Sequence, residues 1–171
     1  MTTDAVRVRT EADVTGCAEV LREVHRVDGY PVEGVADAVG WLWPPGLLQA
    51  WVAGDPDEIL GHAAACEPRG EAAVSMLMDR TSLTDSEIAV VARLFVVPGA
   101  RRRSLGQRLA SAAFSYAGTQ GRRVVFDVMA KDQDAIRLYE RLGCTRLGET
   151  SHHFGNGQAV LAYCYAAPPA S

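Results

Sequence analysis

The chain has 171 residues, 48% of them hydrophobic and 22% charged, with a formal net charge of -4. That length and apolar content suffice for one globular domain with a sizeable core. The acidic balance argues against duplex DNA or an anionic membrane as principal partner, because proteins of those kinds carry a domain-wide basic excess.

Cys17, Cys66, Cys144 and Cys164 are widely spaced and form no CxxC pair, so buried free thiols are expected rather than a zinc site or a disulfide framework. The N-terminal MTTDAVRVRT has no apolar signal core, and no apolar run reaches membrane-spanning length. A cytoplasmic protein is expected.

In chain order, AVRVR (residues 5–9) alternates as a half-buried strand does, and Thr10 followed by Asp13 resembles a helix-capping start. Val14, Cys17, Ala18, Leu21, Val24 and His25 then lie on one helical face. DGYP stops that helix, and a second short one is expected from Val32 to Trp41 before the break at WPPG. LLQAWVA and ILGHAAAC, joined by GDPDE, predict an antiparallel hairpin. AAVSMLM (72–78) fits a helix or a strand, and the polar DRTSLTDSE reads as loop.

The apolar run from Ile88 to Val97 predicts a central strand covered on both faces. A helix stripe follows at Leu105, Leu109, Ala112, Ala113 and Tyr116, then a strand from Arg123 to Met129. Ala135, Leu138, Tyr139 and Leu142 predict another helix ended by Gly143, and two strands, about 144–150 and 158–166, flank an HHFGNG loop. The expected whole is a single domain over 1–166 with a disordered tail at 167–171. Its class is α/β (α+β), with helices packed on a mixed sheet.

The stretch RRRSLG (101–106) lies between the buried strand and a helix start. Free backbone N–H groups and the positive end of the helix dipole suit such a turn to phosphate. Gly106 removes a side chain from the first helical turn, Ser104 adds a hydroxyl, and Arg101, Arg102 and Arg103 add charge. By themselves the residues leave a solvated charge run as an equal alternative.

With that context, ARLFVVPGARRRSLG resembles the acetyl-CoA signature of the GNAT superfamily of N-acyltransferases, through Val96, Pro98, Arg101 and Gly106, with Ser104 where the first motif glycine is usual. DQDAIRLYERLGC is similar to the family's second signature at Ala135, Leu138, Tyr139 and Gly143, with Asp132 replacing asparagine and Cys144 replacing phenylalanine. The two occur in order, about one strand apart, in the β-α-β-α context such a match requires.

The resemblance implies a mostly antiparallel twisted sheet of about seven strands flanked by about four helices. It implies that acetyl-CoA, the co-substrate, lays its pyrophosphate on the backbone of Arg101 to Gly106, through Leu105, and its pantetheine arm along Phe95 and Val96. Asp132, Ala135 and Tyr139 complete the implied cofactor set.

Tyr139 is the implied general acid on the departing thiolate; the alternative is a core residue of the helical stripe. The family's strand glutamate falls near Val90, so Glu87 is taken as base, with Glu67, Asp127 and His152 as alternatives. His62, isolated in an apolar strand, is expected to be a hydrogen-bonded core residue, and His153 an exposed one. Asp28, Tyr30 and Trp41, with Trp43, offer an aromatic wall and a carboxylate suited to a cationic amine.

The expected activity is acetyl transfer to a primary amine of a small molecule or peptide by direct attack, with no metal, nucleic acid or membrane required. A homodimer is the family's common assembly. The alternatives are a non-catalytic acyl-CoA-binding domain and a nucleic-acid module using the arginines.

Overall fold

A computed structural model of the chain describes residues 4–170. Among the described residues, seven strands form one sheet in the order β1-β2-β3-β4-β5-β7-β6, with five α-helices. β4 and β5 run parallel, whereas β1–β2, β2–β3, β5–β7 and β6–β7 are antiparallel. Two compact units are distinguished: residues up to Cys66 with Arg93–Ala113, and Glu67–Ala92 with the residues from Phe114 onward.

In the first unit, β1 (Val6–Val8) leads to a 3-10 turn and α1 (Val14–Asp28). The expected cap is present: the Asp13 carboxylate accepts the Thr10 N–H at 2.7 Å and is gripped by Arg7 at 2.8 and 2.9 Å. α1 buries Val14, Cys17, Ala18, Leu21 and Val24 against Val52, Ile59 and Phe95.

The second helix is shorter than its pattern suggests. α2 spans only Ala38–Trp41, because Gly34 takes φ +96°, which an α-helix does not admit, and Asp37 restarts the chain by accepting the Gly40 N–H at 3.0 Å.

β2 (Leu47–Asp55) and β3 (Glu58–Cys66) form the expected hairpin, with Val52 opposite His62. At Gly61 a Cβ would meet the Phe95 carbonyl oxygen at 3.0 Å and Leu109 Cδ1 at 2.8 Å. Glycine there permits close approach of the neighbouring strand and helix. β4 spans Ile88–Val96, and its Arg93 takes φ +59° inside the strand.

In the second unit, the stretch with two readings is helix α3 (Ala72–Arg80). Ala73, Val74 and Leu77 share one face and pack with Ile88, Val125, Leu147 and Cys164, a non-local apolar surface that settles the ambiguity. It adds one helix to the four expected.

β4 pairs with β5 (Arg123–Met129) over only three residues, Ile88–Val90 opposite Arg123–Val125. α4 (Leu105–Thr119) runs from the first unit into the second, followed by α5 (Gln133–Arg141). β7 (Gln158–Ala166) has the expected bounds, whereas β6 (Thr145–Phe154) extends further than expected: His152 and His153 are strand residues opposite Val160 and Ala159, leaving residues 155–157 as the turn. Beyond β7, Ala167 is buried and donates its N–H to Val124 at 2.9 Å.

All four cysteines are buried, and none is in a disulfide. Burial pushes the Cys17 thiol up to about 12 and those of Cys144 and Cys164 up to about 11. Such thiols stay protonated and unreactive.

Candidate functional site

The arginine loop leaves β4 through a 3-10 turn at Pro98–Ala100 and enters α4 at Leu105. Ser104 is its hinge: its carbonyl accepts the Arg108 N–H at 3.1 Å while its own φ is +61°. Arg102 is also left-handed, at φ +69°. Two L-residues in this region within three positions cost of order 1–3 kcal/mol each, and such strain concentrates where backbone is aimed at a ligand. Backbone turned this way, ahead of a helix N-terminus, is the geometry of anion-binding nests. A φ of +61° favours glycine, and Ser104 adopts it under strain.

The three arginines are not equivalent. Arg101 pairs with the Asp28 carboxylate, and its Nε and Nη2 each lie 3.3 Å from the Val96 carbonyl. That side chain latches the loop to the end of β4 and the last residue of α1. Arg103 faces Asp4 at 3.4 Å across an exposed gap, and Arg102 is exposed. Leu105 is buried at the start of α4, Gly106 follows half-buried, and Phe95 and Val96 form the end of β4.

In the second unit, Asp132 caps α5 by accepting the Ala135 N–H at 3.2 Å. Capping needs an acceptor, which aspartate supplies as well as asparagine, so the departure from the family pattern preserves the helix start. Tyr139 is 6% exposed, its ring centroid 4.2 Å from that of Phe126, which also stacks with Phe114 and Tyr165. The expected acid is therefore built into an aromatic cluster.

The expected bases separate clearly. Glu87 accepts the Thr84 N–H and hydroxyl at 3.2 and 3.1 Å, closing a 3-10 turn before β4. Glu67 is held by both Nη atoms of Arg122 at 2.9 and 3.0 Å. Val90 is buried. Asp127 and His152, separate alternatives in the sequence, meet: His152 Nε2 lies 2.5 Å from Asp127 Oδ2. His153 is exposed.

The expected acceptor residues lie in the first unit. Tyr30 packs edge-on against Trp41 at 5.8 Å, and Trp41 lies 6.2 Å from Phe95, so the aromatic wall exists. Its cation-binding features are engaged, however: Asp28 holds Arg101, and the Arg93 guanidinium lies 4.5 Å from the Trp41 ring centroid. Arg9 lies over Trp43 in the same way, at 4.3 Å. Arg9 and Arg93 escaped the sequence reading, although a lone arginine inside the apolar run IAVVARLFVV was a usable signal, since a charge there is costly without a partner.

Known proteins share both the sequence pattern and the fold. The model of the acetyltransferase (GNAT) family matches residues 17–144, from within α1 to the residue before β6. A mycothiol acetyltransferase from Gordonia bronchialis is 31% identical over 153 residues, covering 84% of this chain and 44% of that protein, so the chain spans less than half the length of this relative. Arabidopsis thaliana NAA60 in complex with acetyl-CoA superposes with a TM-score of 0.72 at 20% identity, covering 97% of each chain. Salmonella typhimurium yncA with its cofactor acetyl-CoA gives 0.69 at 15% identity, covering 95% of this chain and 91% of that one. With both signatures inside the matched residues, the chain belongs to the GNAT acetyltransferase family.

Proposed function

We propose that the chain transfers the acetyl group of acetyl-CoA to a primary amine of a small molecule or peptide, by direct attack within a ternary complex. The observation that carries this reading is the loop at 101–104, whose left-handed Arg102 and Ser104 stand immediately before α4, a conformation suited to binding an anion. It supports the pyrophosphate on the backbone from Arg101 to Gly106, with Arg102 and Arg103 adding charge. The ends of the two signatures lie within the family match, and the solved relatives named above hold acetyl-CoA.

Acetyl-CoA supplies an activated acyl thioester. The chain's part is to hold the reactants in line, which by itself removes much of the barrier to a bimolecular step. In this reading β4 backbone at Phe95 and Val96 guides the pantetheine arm, and Asp132 and Ala135 set the start of α5. The Tyr139 hydroxyl gives a proton to the departing thiolate. Proton removal from the amine falls to His152, polarised by Asp127, rather than to Glu87, whose carboxylate is committed to its turn. No helix among the described residues is long and apolar enough to cross a membrane. The reading places the protein in the cytoplasm, with a homodimer as the assembly to test by light scattering.

Burial of Tyr139 favours a second reading, a non-catalytic acyl-CoA-binding domain. Thioester consumption over a panel of amino acids, polyamines, aminoglycosides and peptide N-termini separates the two. Turnover with at least one acceptor is expected, falling about tenfold or more in kcat in Tyr139→Phe while acetyl-CoA affinity holds. Tight acetyl-CoA binding with no consumption on any acceptor would establish the second reading.

A further inference from the structure

His62, Arg9 and Arg93 form one connected cluster in the first unit with no part in the roles above. His62 is fully buried and stacks on Phe95, ring centroids 5.2 Å apart and planes 14° from parallel. Its Nδ1 lies 2.8 Å from the Arg93 carbonyl oxygen, which only accepts, so the proton sits on Nδ1 and Nε2 is an acceptor. Arg9 Nη1 donates to that Nε2 at 3.0 Å and to the Leu42 carbonyl at 2.7 Å. Arg93 Nε donates to the Trp41 carbonyl at 3.1 Å. Both guanidiniums are thereby fixed on the carbonyls of the last residue of α2 and the residue after it, each against an indole.

A guanidinium offers five N–H donors. Arg9 uses those of Nη1 and Arg93 that of Nε; among the described residues no other hydrogen bond and no ion pair engages either group. The Glu33 carboxylate, from the segment before α2, accepts the indole N–H of Trp41 at 2.6 Å. Neither half-buried arginine is in an ion pair among the described residues: Asp13, whose charge bears on Arg9, is held by Arg7, and the planar forks of Arg9 and Arg93 match a carboxylate or phosphate. The features suited to a cation, Asp28 and the face of Trp41, already carry arginines.

We propose that Arg9 and Arg93, set by His62 and the 41–43 turn, form an oxyanion subsite that selects amine acceptors bearing a carboxylate or phosphate. The inference rests on the acetyl-transfer reading and names the acceptor class for it.

Two measurements test it. In steady-state turnover, one amine is offered as the free acid, the neutral carboxamide and the phosphate monoester. In calorimetry, an N-acetyl amino acid and its carboxamide are titrated directly, which reads the subsite whether or not transfer occurs. The acid or the phosphate is expected to show a KM about tenfold or more below the amide, the better of the two naming the anion. Arg93→Gln and Arg9→Gln should each remove most of that preference, read as the ratio of acid to amide, and Arg93→Lys should retain part of it. Melting temperatures confirm that each variant is folded, and Arg93→Lys is the one that keeps the charge if Arg93→Gln does not fold. Equal use of acid and amide by the parent chain, a preference that survives both glutamine variants, or no binding of the acid probe would overturn the subsite. If the acid binds through the arginines but no acceptor consumes thioester, the transfer reading fails and the subsite stands.

Discussion

Ser104 shows how one backbone angle links sequence to ligand. With φ +61° it occupies a conformation that glycine enters without strain, so Ser104→Gly should raise the melting temperature by a few degrees, about 1 kcal/mol, and leave acetyl-CoA affinity equal or tighter. Weaker acetyl-CoA binding in that variant would mean that the hydroxyl, and not the backbone, is what the ligand meets. His62 carries a second residue-scale prediction. Burial pushes it down to about 3; its bond to the Arg93 carbonyl opposes this, and the charges of Arg9 and Arg93 reinforce it. Its folded value lies below the ordinary 6.5, so between those limits only the unfolded chain takes the proton. This contribution to stability is present above about 6.5 and is lost as pH falls, by about 1.4 kcal/mol per unit, until the folded ring itself titrates. Urea denaturation at pH 7.5 and 4.5 should show a loss about 2–3 kcal/mol smaller in His62→Gln than in the parent chain; parallel losses would contradict the buried neutral imidazole.

At the scale of elements, the sequence was most legible where caps and periodicity agree. Thr10 and Asp13 start α1, the apolar stripe carries it, and the chain stops at Gly29, all readable from neighbouring residues. α2 was overdrawn because the pattern from 32 to 41 conceals the backbone demand at Gly34, and α3 stayed ambiguous because its apolar run fits either period until Val125, Leu147 and Cys164 cover one side. The contact of β3 with β4 and α4 is sharper still. Gly61→Val should destabilise by about 2–3 kcal/mol, since its Cβ would press on the Phe95 carbonyl oxygen, which is backbone, and on the side chain of buried Leu109. A thermal melt within a degree of the parent would show that the strands separate freely there.

At the scale of the whole molecule, ligand linkage gives the test. Acetyl-CoA at about one hundred times its Kd should add about 2.7 kcal/mol of stability, a rise in melting temperature of roughly 5–10 °C. Oligonucleotides should give none, whatever the three adjacent arginines suggest. An oligonucleotide shift that vanishes with salt, without one from acetyl-CoA, would reverse the assignment of the loop.

The sequence by itself determined what short-range physics controls: the strand, loop and helix around RRRSLG, the capped helices, the hairpins, and the two signatures that place the chain in its family. Periodicity and backbone conformation are properties of neighbours, so they are written locally. Only the tertiary structure decided which charges meet. Arg101 closes on Asp28, 73 residues away, while Glu67 takes Arg122 and His152 takes Asp127. Arg9 and Arg93 come together on the Trp41–Trp43 turn without an anion. An arginine and its partner have no fixed spacing; strand register and loop closure bring them together, and those depend on how the whole chain buries its apolar faces.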